Sequence, residues 1–164
     1  MMRHALRLAE LRSARRIALY WPMDGEMDAR PLLKRLRRMR KRCFLPLLSG
    51  LWHERLWFVP VGARMRNNCF GIPEPMVPAR ARLRARELDL VFVPLVGFDR
   101  RGNRIGMGGG FYDRTFAFLR ARGAWRHPKL IGLAHACQEI GRLDAAAWDV
   151  PLAAIVTDRE IIRS

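Results

Sequence analysis

Residues 89–114, DLVFVPLVGFDRRGNRIGMGGGFYDR, contain the features that decide the fold. The stretch begins with a mostly apolar run at 89–95, which predicts a buried β-strand. A polar turn follows at 99–102, and glycines then lead directly into a helical pattern that starts at Gly110. A strand, a glycine-rich loop and a helix in this order are typical of an α/β protein that binds a ligand beyond the end of a strand.

The loop itself contains four glycines, at positions 106, 108, 109 and 110. Glycine lets the backbone approach a phosphate closely, and the free N–H groups at the start of the next helix favour an anion. Arg104 could add a charge-assisted hydrogen bond. The loop lacks the Lys of a Walker motif, and Phe111 occupies the last glycine position of GxGxxG. From these residues alone, a phosphate-binding loop and a structural glycine turn both remain open.

Three side chains after the glycines also have two interpretations each. Asp113 either stabilises the helix N-terminus or supplies a hard oxygen ligand for Mg²⁺ held against ATP phosphates. Phe111 and Tyr112 either belong to the core or offer ring surfaces beside a flat ligand.

Apolar runs and helical patterns alternate along the rest of the chain. Further helices are predicted at 3–14 and 28–42, with Asp28 as N-cap and Pro31 in the first turn, and the helix after the glycines is predicted at 110–122, ended by Gly123. Residues 67–78 are predicted to be irregular because they are rich in Pro, Gly and Asn. The predicted strands are 16–21 (RIALYW), 43–48 (CFLPLL), 56–61 (LWFVPV), 89–95 (DLVFVPL), 130–134 (LIGLA) and 153–157 (AAIVT).

This alternation predicts an α/β fold with an open, mostly parallel sheet whose strands are covered on both faces. Ligands of such sheets bind outside the carboxyl ends of the strands. Two loops are expected there, residues 22–28 after the first strand and residues 96–110 after the strand at 89–95. The candidate site is therefore expected between these loops.

Composition narrows the class of protein. The chain has 164 residues, 50% of them hydrophobic, which is enough for a core. No apolar run approaches the ~18–20 residues that span a bilayer, and no signal-peptide pattern is present, so a cytoplasmic protein without membrane contact is expected. Cys43, Cys69 and Cys137 form no CxxC or Cys/His cluster and are predicted to be unpaired thiols.

The formal net charge of +16 favours anionic partners. Its densest part, residues 34–42 (KRLRRMRKR), leaves Leu32, Leu36 and Met39 on one face of a helix. A solvated outer face of an amphipathic helix is the favoured interpretation, and a nucleic-acid patch is the alternative.

The whole set of motifs resembles the 5-formyltetrahydrofolate cyclo-ligase (5,10-methenyltetrahydrofolate synthetase) family. The resemblance covers nearly the whole chain in family order. Its motifs are residues 20–26 (YWPMDGE), 71–75 (GIPEP), 93–99 (VPLVGFD), 102–113 (GNRIGMGGGFYD), Gln138, 148–152 (WDVPL) and 155–157 (IVT).

The resemblance implies a Rossmann-like α/β fold with helices on both faces and one domain over residues 1–164. It implies an enzyme, a ligase that forms a C–N bond. With ATP and Mg²⁺ as co-substrate and cofactor, such enzymes convert 5-formyltetrahydrofolate, including polyglutamylated forms, into 5,10-methenyltetrahydrofolate. The net positive charge of the chain suits two polyanionic ligands, ATP and polyglutamylated folate. A monomer or weak dimer without a nucleic-acid partner is expected.

The resemblance also implies roles for individual residues. Asp113 and Asp149 are expected to bind magnesium, and Trp21 and Glu26 to contact folate, whereas Glu74 stays a candidate only. Arg104, Phe111 and Tyr112 are expected to be catalytic. The ATP-binding residues implied are Arg104, Ile105, Gly106, Met107, Gly108, Gly109, Gly110, Phe111 and Tyr112, and five of these, Met107, Gly108, Gly109, Gly110 and Phe111, are also expected to face folate.

Two departures from the family pattern stand beside these expectations. The family has an N-terminal basic helix that grips ATP, and it is expected to be missing here. Arg3 and Arg7 have the i, i+4 spacing but fall on the next helical segment, so the role is not transferred. Phe111 stands where many relatives carry Tyr, which keeps the ring and loses the hydroxyl. An incomplete sequence and an impaired protein both remain open.

Two other functions remain open at this stage. A basic nucleic-acid-binding module could use the arginine-rich helix and the formal GxxG of residues 106–109. A degenerate relative could bind folate without converting it.

Overall fold

The computed structural model describes residues 1–23, 25–48, 55–62, 65–67, 71, 73–121 and 127–164. Its α-helices are α1 (Met2–Ala5), α2 (Ala9–Ser13), α3 (Arg30–Arg38) and α4 (Phe111–Phe116). Its strands are β1 (Arg16–Ala18), β2 (Arg42–Leu48), β3 (Leu56–Pro60), β4 (Met65–Asn67), β5 (Pro73–Pro75), β6 (Leu90–Val93), β7 (Gly97–Phe98), β8 (Arg104–Ile105), β9 (Lys129–Leu133), β10 (Ala154–Val156) and β11 (Ile161–Arg163).

A seven-stranded sheet organises these elements in the order β11-β10-β9-β6-β1-β2-β3. The five inner strands run parallel, while β3 and β11 pair antiparallel at the two edges. The chain adds β2 on one side of β1 and later adds β6 on the other side. The carboxyl ends of β1 and β6 therefore form the switch point where open α/β sheets bind ligands.

Both faces of the sheet are covered, because alternate residues of each inner strand pack into different cores. On β6, Leu90 and Phe92 pack with buried residues of the first three helices, such as Leu11 and Leu36. Val91 and Val93 pack on the opposite face, with Phe116 of α4. The near-continuous apolar run at 89–95 follows from this two-sided burial. The predicted α/β fold with helices on both faces is confirmed.

The six predicted strands are all present, with shorter bounds at several ends. β11 was not predicted, because it is a three-residue edge strand that alternates in burial. A two-stranded hairpin of β7 and β8 was also not predicted. The prediction of an irregular segment at 67–78 is wrong in part, because residue 67 of β4 and residues 73–75 of β5 pair antiparallel.

The predicted helices differ more. Residues 3–14 form two short helices rather than one, because the buried Leu8 between them has an extended backbone (ψ 126°). α3 begins at Arg30 and ends before Arg40, whose φ of 58° is left-handed. Its N-cap is Ala29 rather than Asp28, although the Asp28 carboxylate accepts the Arg30 N–H at 2.9 Å.

The helix predicted at 110–122 is only six residues long as an α-helix and continues as a 3₁₀ turn, Ala117–Arg120. Gly123, predicted to end it, lies outside the described residues. Cys43 and Cys137 are free thiols, as predicted, and Cys69 lies outside the described residues. Within the described ranges, no helix has the length and apolar character needed to cross a membrane.

Candidate active site

A cavity of about 1110 Å³ opens at the carboxyl edge of the sheet. Its walls come from the segments after β1 and β6, from β2, from the glycine loop, and from residues 143–149. All the residues for which the resemblance implied a site role line this one cavity: Trp21, Glu26, Arg104, Ile105, Gly106, Met107, Gly108, Gly109, Gly110, Phe111, Tyr112, Asp113 and Asp149. The candidate Glu74 is not among them, since its side chain lies outside the described residues.

The glycine loop has the backbone that its composition predicts. Gly108 and Gly110 have φ angles of 83° and 59°, which side chains other than glycine rarely adopt. At Gly109, an added Cβ atom would lie 2.8 Å from the Phe111 ring, so the ring would have to shift. Among the described residues, the N–H groups of 106–110 have no hydrogen-bond partner, so they are available to an anion.

The helix after the loop, α4, adds less positive potential at the glycines than the sequence suggested. α4 has six residues, so few peptide dipoles add up at its N-terminus. Positive charge at the loop comes instead from side chains. Arg104 precedes the glycines, and the Arg114 guanidinium donates to the Gly109 carbonyl at 2.5 Å while lying 5.3 Å from the centre of the Phe111 ring.

A buried ion pair joins the two ends of the loop. Nη2 of Arg104 donates to Oδ1 of Asp113 at 2.8 Å, and the two side chains are 6% and 18% exposed. The Arg104 guanidinium also lies 5.7 Å from the centre of the Tyr112 ring. Nε of Arg104 is buried and has no hydrogen-bond partner within the described part of the chain. The pair therefore holds the loop closed while one buried donor is left unsatisfied.

The two aspartates expected to bind magnesium meet through the backbone. Oδ1 of Asp113 accepts the N–H of Val150 at 3.2 Å, which brings the neighbouring Asp149 to the same end of the cavity. Oδ2 of Asp149 accepts the Ala146 N–H at 2.8 Å. Over the described ranges, no group of three or more His, Cys, Asp or Glu side chains could hold a metal alone.

The segment after β1 forms a wall with aromatic and acidic character. Oε2 of Glu26 accepts the Met23 N–H at 2.9 Å, and burial raises the pKa of the Glu26 carboxyl. Burial, together with the nearby Glu26 carboxylate, also raises the pKa of Tyr20 and Tyr112, so both phenols stay protonated. The Tyr20 hydroxyl donates to the Met27 carbonyl at 2.5 Å, which fixes the wall against the sheet.

α4 is tied to the sheet by one hydroxyl. Oγ1 of Thr115 donates to the Phe111 carbonyl at 2.5 Å and accepts the Leu56 N–H of β3 at 2.8 Å. The Tyr112 and Phe116 rings stack with centroids 6.3 Å apart, and Phe116 is fully buried. The Phe111 backbone and the Tyr112 ring are therefore held in place beside the glycines.

Sequence reasoning missed the anchors of the opposite wall, residues 143–149. Asp99 is only 1% exposed, and its carboxylate accepts N–H groups of Arg101, Asn103 and Leu143 at 2.9–3.1 Å. Nη1 of Arg120 donates to the Ala147 carbonyl at 2.6 Å. The Arg120–Ala147 and Asp99–Leu143 contacts join residues 27 and 44 positions apart, so no local pattern could reveal them.

Two further wall residues had weak signals. Gln138 belonged to the family resemblance without a role, and its Nε2 donates to the Leu95 and Val96 carbonyls at 2.9 and 3.1 Å, fixing the chain after β6. Leu45, Pro46 and Leu48 line the cavity from the carboxyl half of β2. Their place could have been inferred from the rule that carboxyl ends of parallel strands share one edge.

The fold and this site define an α/β protein with a large cavity and a glycine-rich loop at the carboxyl edge of its sheet. The family model of the 5-formyltetrahydrofolate cyclo-ligase family matches residues 1–158. The chain is 42% identical to the 5-formyltetrahydrofolate cyclo-ligase of Haemophilus influenzae over 153 residues, which cover 91% of this chain and 79% of that protein. The corresponding Escherichia coli K12 protein is 38% identical over 152 residues, covering 90% and 80%.

The fold comparison agrees. The NMR structure of Aquifex aeolicus 5,10-methenyltetrahydrofolate synthetase superposes with a TM-score of 0.79 at 31% sequence identity, covering 99% of this chain and 78% of that one. The chain belongs to the 5-formyltetrahydrofolate cyclo-ligase family, and it is therefore an enzyme of the ligase class.

The Asp99 carboxylate is expected to stabilise the wall at 143–149. Burial alone would raise the pKa of Asp99, but hydrogen bonds from Asn103, Leu143 and Arg101 lower it below its ordinary value. Asp99→Asn turns an amide donor toward these donors, so we expect the free energy of unfolding at neutral pH to fall by about 2–4 kcal/mol.

The pH dependence has a defined sign. Because the pKa of Asp99 is lower in the folded state than the ~3.9 of an unfolded chain, the carboxylate stabilises the fold above about pH 4. This stabilisation is lost as pH falls through the folded-state pKa. Urea unfolding from neutral to acidic pH should show a smaller acid-induced loss for Asp99→Asn than for the unchanged chain. Equal stability of the two proteins at neutral pH would contradict the assignment.

Proposed function

We propose that this chain catalyses the ATP- and Mg²⁺-dependent cyclisation of 5-formyltetrahydrofolate to 5,10-methenyltetrahydrofolate, with release of ADP and phosphate. The observation that carries the proposal is a single cavity that combines a glycine loop with aromatic walls. Its volume of about 1110 Å³ exceeds the ~300–1,000 Å³ of ordinary ligand pockets. A cavity of this size suits a nucleotide and a pterin bound side by side.

The chemistry explains why two ligands must meet. The formyl group on N5 is amide-like, and its oxygen is a poor leaving group. Transfer of the γ-phosphoryl group of ATP to that oxygen gives an iminium phosphate. N10 then attacks the formyl carbon, the ring closes, and the C–O bond breaks to release phosphate. The protein has to place the γ-phosphoryl group against the formyl oxygen and neutralise developing charge.

The glycine loop is the proposed seat of the ATP phosphates. The N–H groups of residues 106–110 are available as donors, and the positive φ angles of Gly108 and Gly110 let the backbone curve around an anion. Arg104 supplies the nearest buried positive charge, including its unsatisfied Nε donor. Ile105 and Met107 are 43% and 67% exposed, so they can cover the ligands from the cavity rim.

The folate site is proposed between the wall after β1 and the same loop. Trp21 offers a ring face to the pterin, and Glu26 can accept hydrogen bonds from its N–H edge. The Met107–Phe111 stretch would then face folate on one side and ATP on the other.

Arg104, Phe111 and Tyr112 are the proposed catalytic residues. Arg104 would neutralise charge on the transferring phosphoryl group. The Tyr112 phenol, whose pKa is raised by burial and by Glu26, is a hydrogen-bond donor across the working pH range. Phe111 has no hydroxyl, so its part is limited to ring contact with the ligands.

The residues present fit a magnesium ion. Mg²⁺ prefers few carboxylates together with phosphate oxygens and water, and when bound it would neutralise charge on the phosphates. Asp113 uses Oδ1 for Arg104 and Val150, and Asp149 uses Oδ2 for Ala146, so each keeps one oxygen without a protein partner among the described residues. Asp113 and Asp149 are therefore proposed as the protein ligands.

The turnover assay tests the proposed function. Purified protein should convert 5-formyltetrahydrofolate to the methenyl product, followed by its absorbance, with one ADP formed per product and no reaction without ATP or Mg²⁺. Binding of both ligands without turnover would instead support a non-catalytic relative. Salt-sensitive RNA binding together with indifference to folate would support the nucleic-acid alternative.

Asp149→Asn tests the metal assignment separately. The amide oxygen can still accept the Ala146 N–H, so the fold should persist, whereas the Mg²⁺ concentration for half-maximal turnover should rise at least about tenfold. Asp113→Asn is less informative because it also breaks the Arg104 pair. Asp144→Asn is the matched control, since this carboxylate is fully exposed in the same segment. Normal magnesium dependence of Asp149→Asn would show that this residue is not a ligand.

A further inference from the structure

Trp148 is a large aromatic residue with an unusual setting. Its side chain is 68% exposed, and it lines the cavity at the carboxyl edge of the sheet. Trp148 is not among the residues proposed to bind ATP, folate or magnesium. Large exposed aromatic residues on a fixed backbone mark binding surfaces, because their burial by a ligand is favourable.

The backbone around Trp148 is held on both sides. Before it, the Leu143 N–H donates to Asp99 at 3.1 Å, and the Ala147 carbonyl accepts from Arg120 at 2.6 Å. After it, the Val150 N–H donates to Asp113 at 3.2 Å. A tight turn lies between, since the Asp149 N–H donates to the Ala146 carbonyl at 3.0 Å.

Exposed apolar side chains concentrate at this cavity. Ten large hydrophobic residues are exposed in the described chain, and five of them line the cavity. These five are Met23, Val96, Ile105, Met107 and Trp148. The rim is therefore built to contact an apolar or aromatic ligand face.

We propose that Trp148 is a ligand-binding residue that stacks on a planar heteroaromatic ring in the cavity, and that Arg120 is a positioning residue that holds it there. This deepens the proposed function and rests on it for the identity of the ligands. The ring belongs either to the adenine of ATP or to the pterin of folate, since both present a flat π-face.

Arg120 contacts the backbone next to Trp148 directly. Its guanidinium bridges the Ala117 carbonyl at the end of α4 and the Ala147 carbonyl next to Trp148, at 3.4 and 2.6 Å. The 3₁₀ turn that follows α4 and the wall at 143–149 are thereby joined through one side chain. Loss of this bridge removes the contact nearest to Trp148, at the preceding residue, without removing the ring.

The experiment measures the dissociation constants of Mg·ADP and of 5-formyltetrahydrofolate separately by calorimetry, together with KM and kcat. Trp148→Ala should weaken one ligand by about 5- to 50-fold. Loss confined to ADP identifies adenine as the ring, and loss confined to folate identifies the pterin. Trp148→Phe should retain binding within about threefold, because the ring face survives. Changes below twofold for both ligands in Trp148→Ala would overturn the proposal.

Arg120→Ala should weaken the same ligand as Trp148→Ala, with KM raised and kcat nearly unchanged, and Arg120→Lys should restore part of the affinity. Met39→Ala is the control, since this exposed residue of similar apolar character does not line the cavity. If Arg120→Ala lowers both affinities and kcat together, the positioning role is wrong. If the unchanged chain binds both ligands without turnover, the proposed function fails while the binding data still decide the role of Trp148.

Discussion

The Arg104 guanidinium and the Asp113 carboxylate lie 2.8 Å apart in a nearly buried setting, and three parts of the chain meet at this pair. Arg104 belongs to β8 before the glycines, Asp113 to α4 after them, and Val150 donates to the same carboxylate oxygen. Removing one partner of such a pair leaves a buried charge, which typically costs about 3–5 kcal/mol. The shape of the glycine loop and the approach of residues 143–149 both depend on this contact.

The pair is not arranged for stability alone. Arg104 keeps a buried Nε without a hydrogen-bond partner in the described chain, and a buried unsatisfied donor costs about 1–3 kcal/mol. Sites where a buried donor lacks an acceptor are often functional, because a ligand can supply the missing acceptor. The backbone N–H groups of the glycine loop likewise have no acceptor among the described residues. An anionic ligand would satisfy both sets of donors at once.

The sequence allowed the sheet and the central loop to be predicted, because their signals are local. Leu90–Val93 is apolar throughout since both faces are covered, and the glycines at 108 and 110 stand where positive φ is required. The break at Leu8 and the edge strand β11 could not be predicted, since both depend on tertiary packing rather than on periodicity. The wall at 143–149 is the clearest case, because Asp99 holds Leu143 from 44 positions away. The family resemblance gave roles to Asp113 and Asp149 but none to Asp99 or Arg120, which hold the wall at 143–149 in place.

A structure of the protein with ADP and Mg²⁺ bound is the most direct test that the glycine loop and Arg104 form the nucleotide site. The diphosphate should lie within hydrogen-bond distance of the N–H groups of residues 108–110, with Arg104 donating to it and the metal beside Asp113 and Asp149. The exposed basic face of α3 offers the competing location for a polyanion. A diphosphate bound there, with the glycine loop free, would contradict the account.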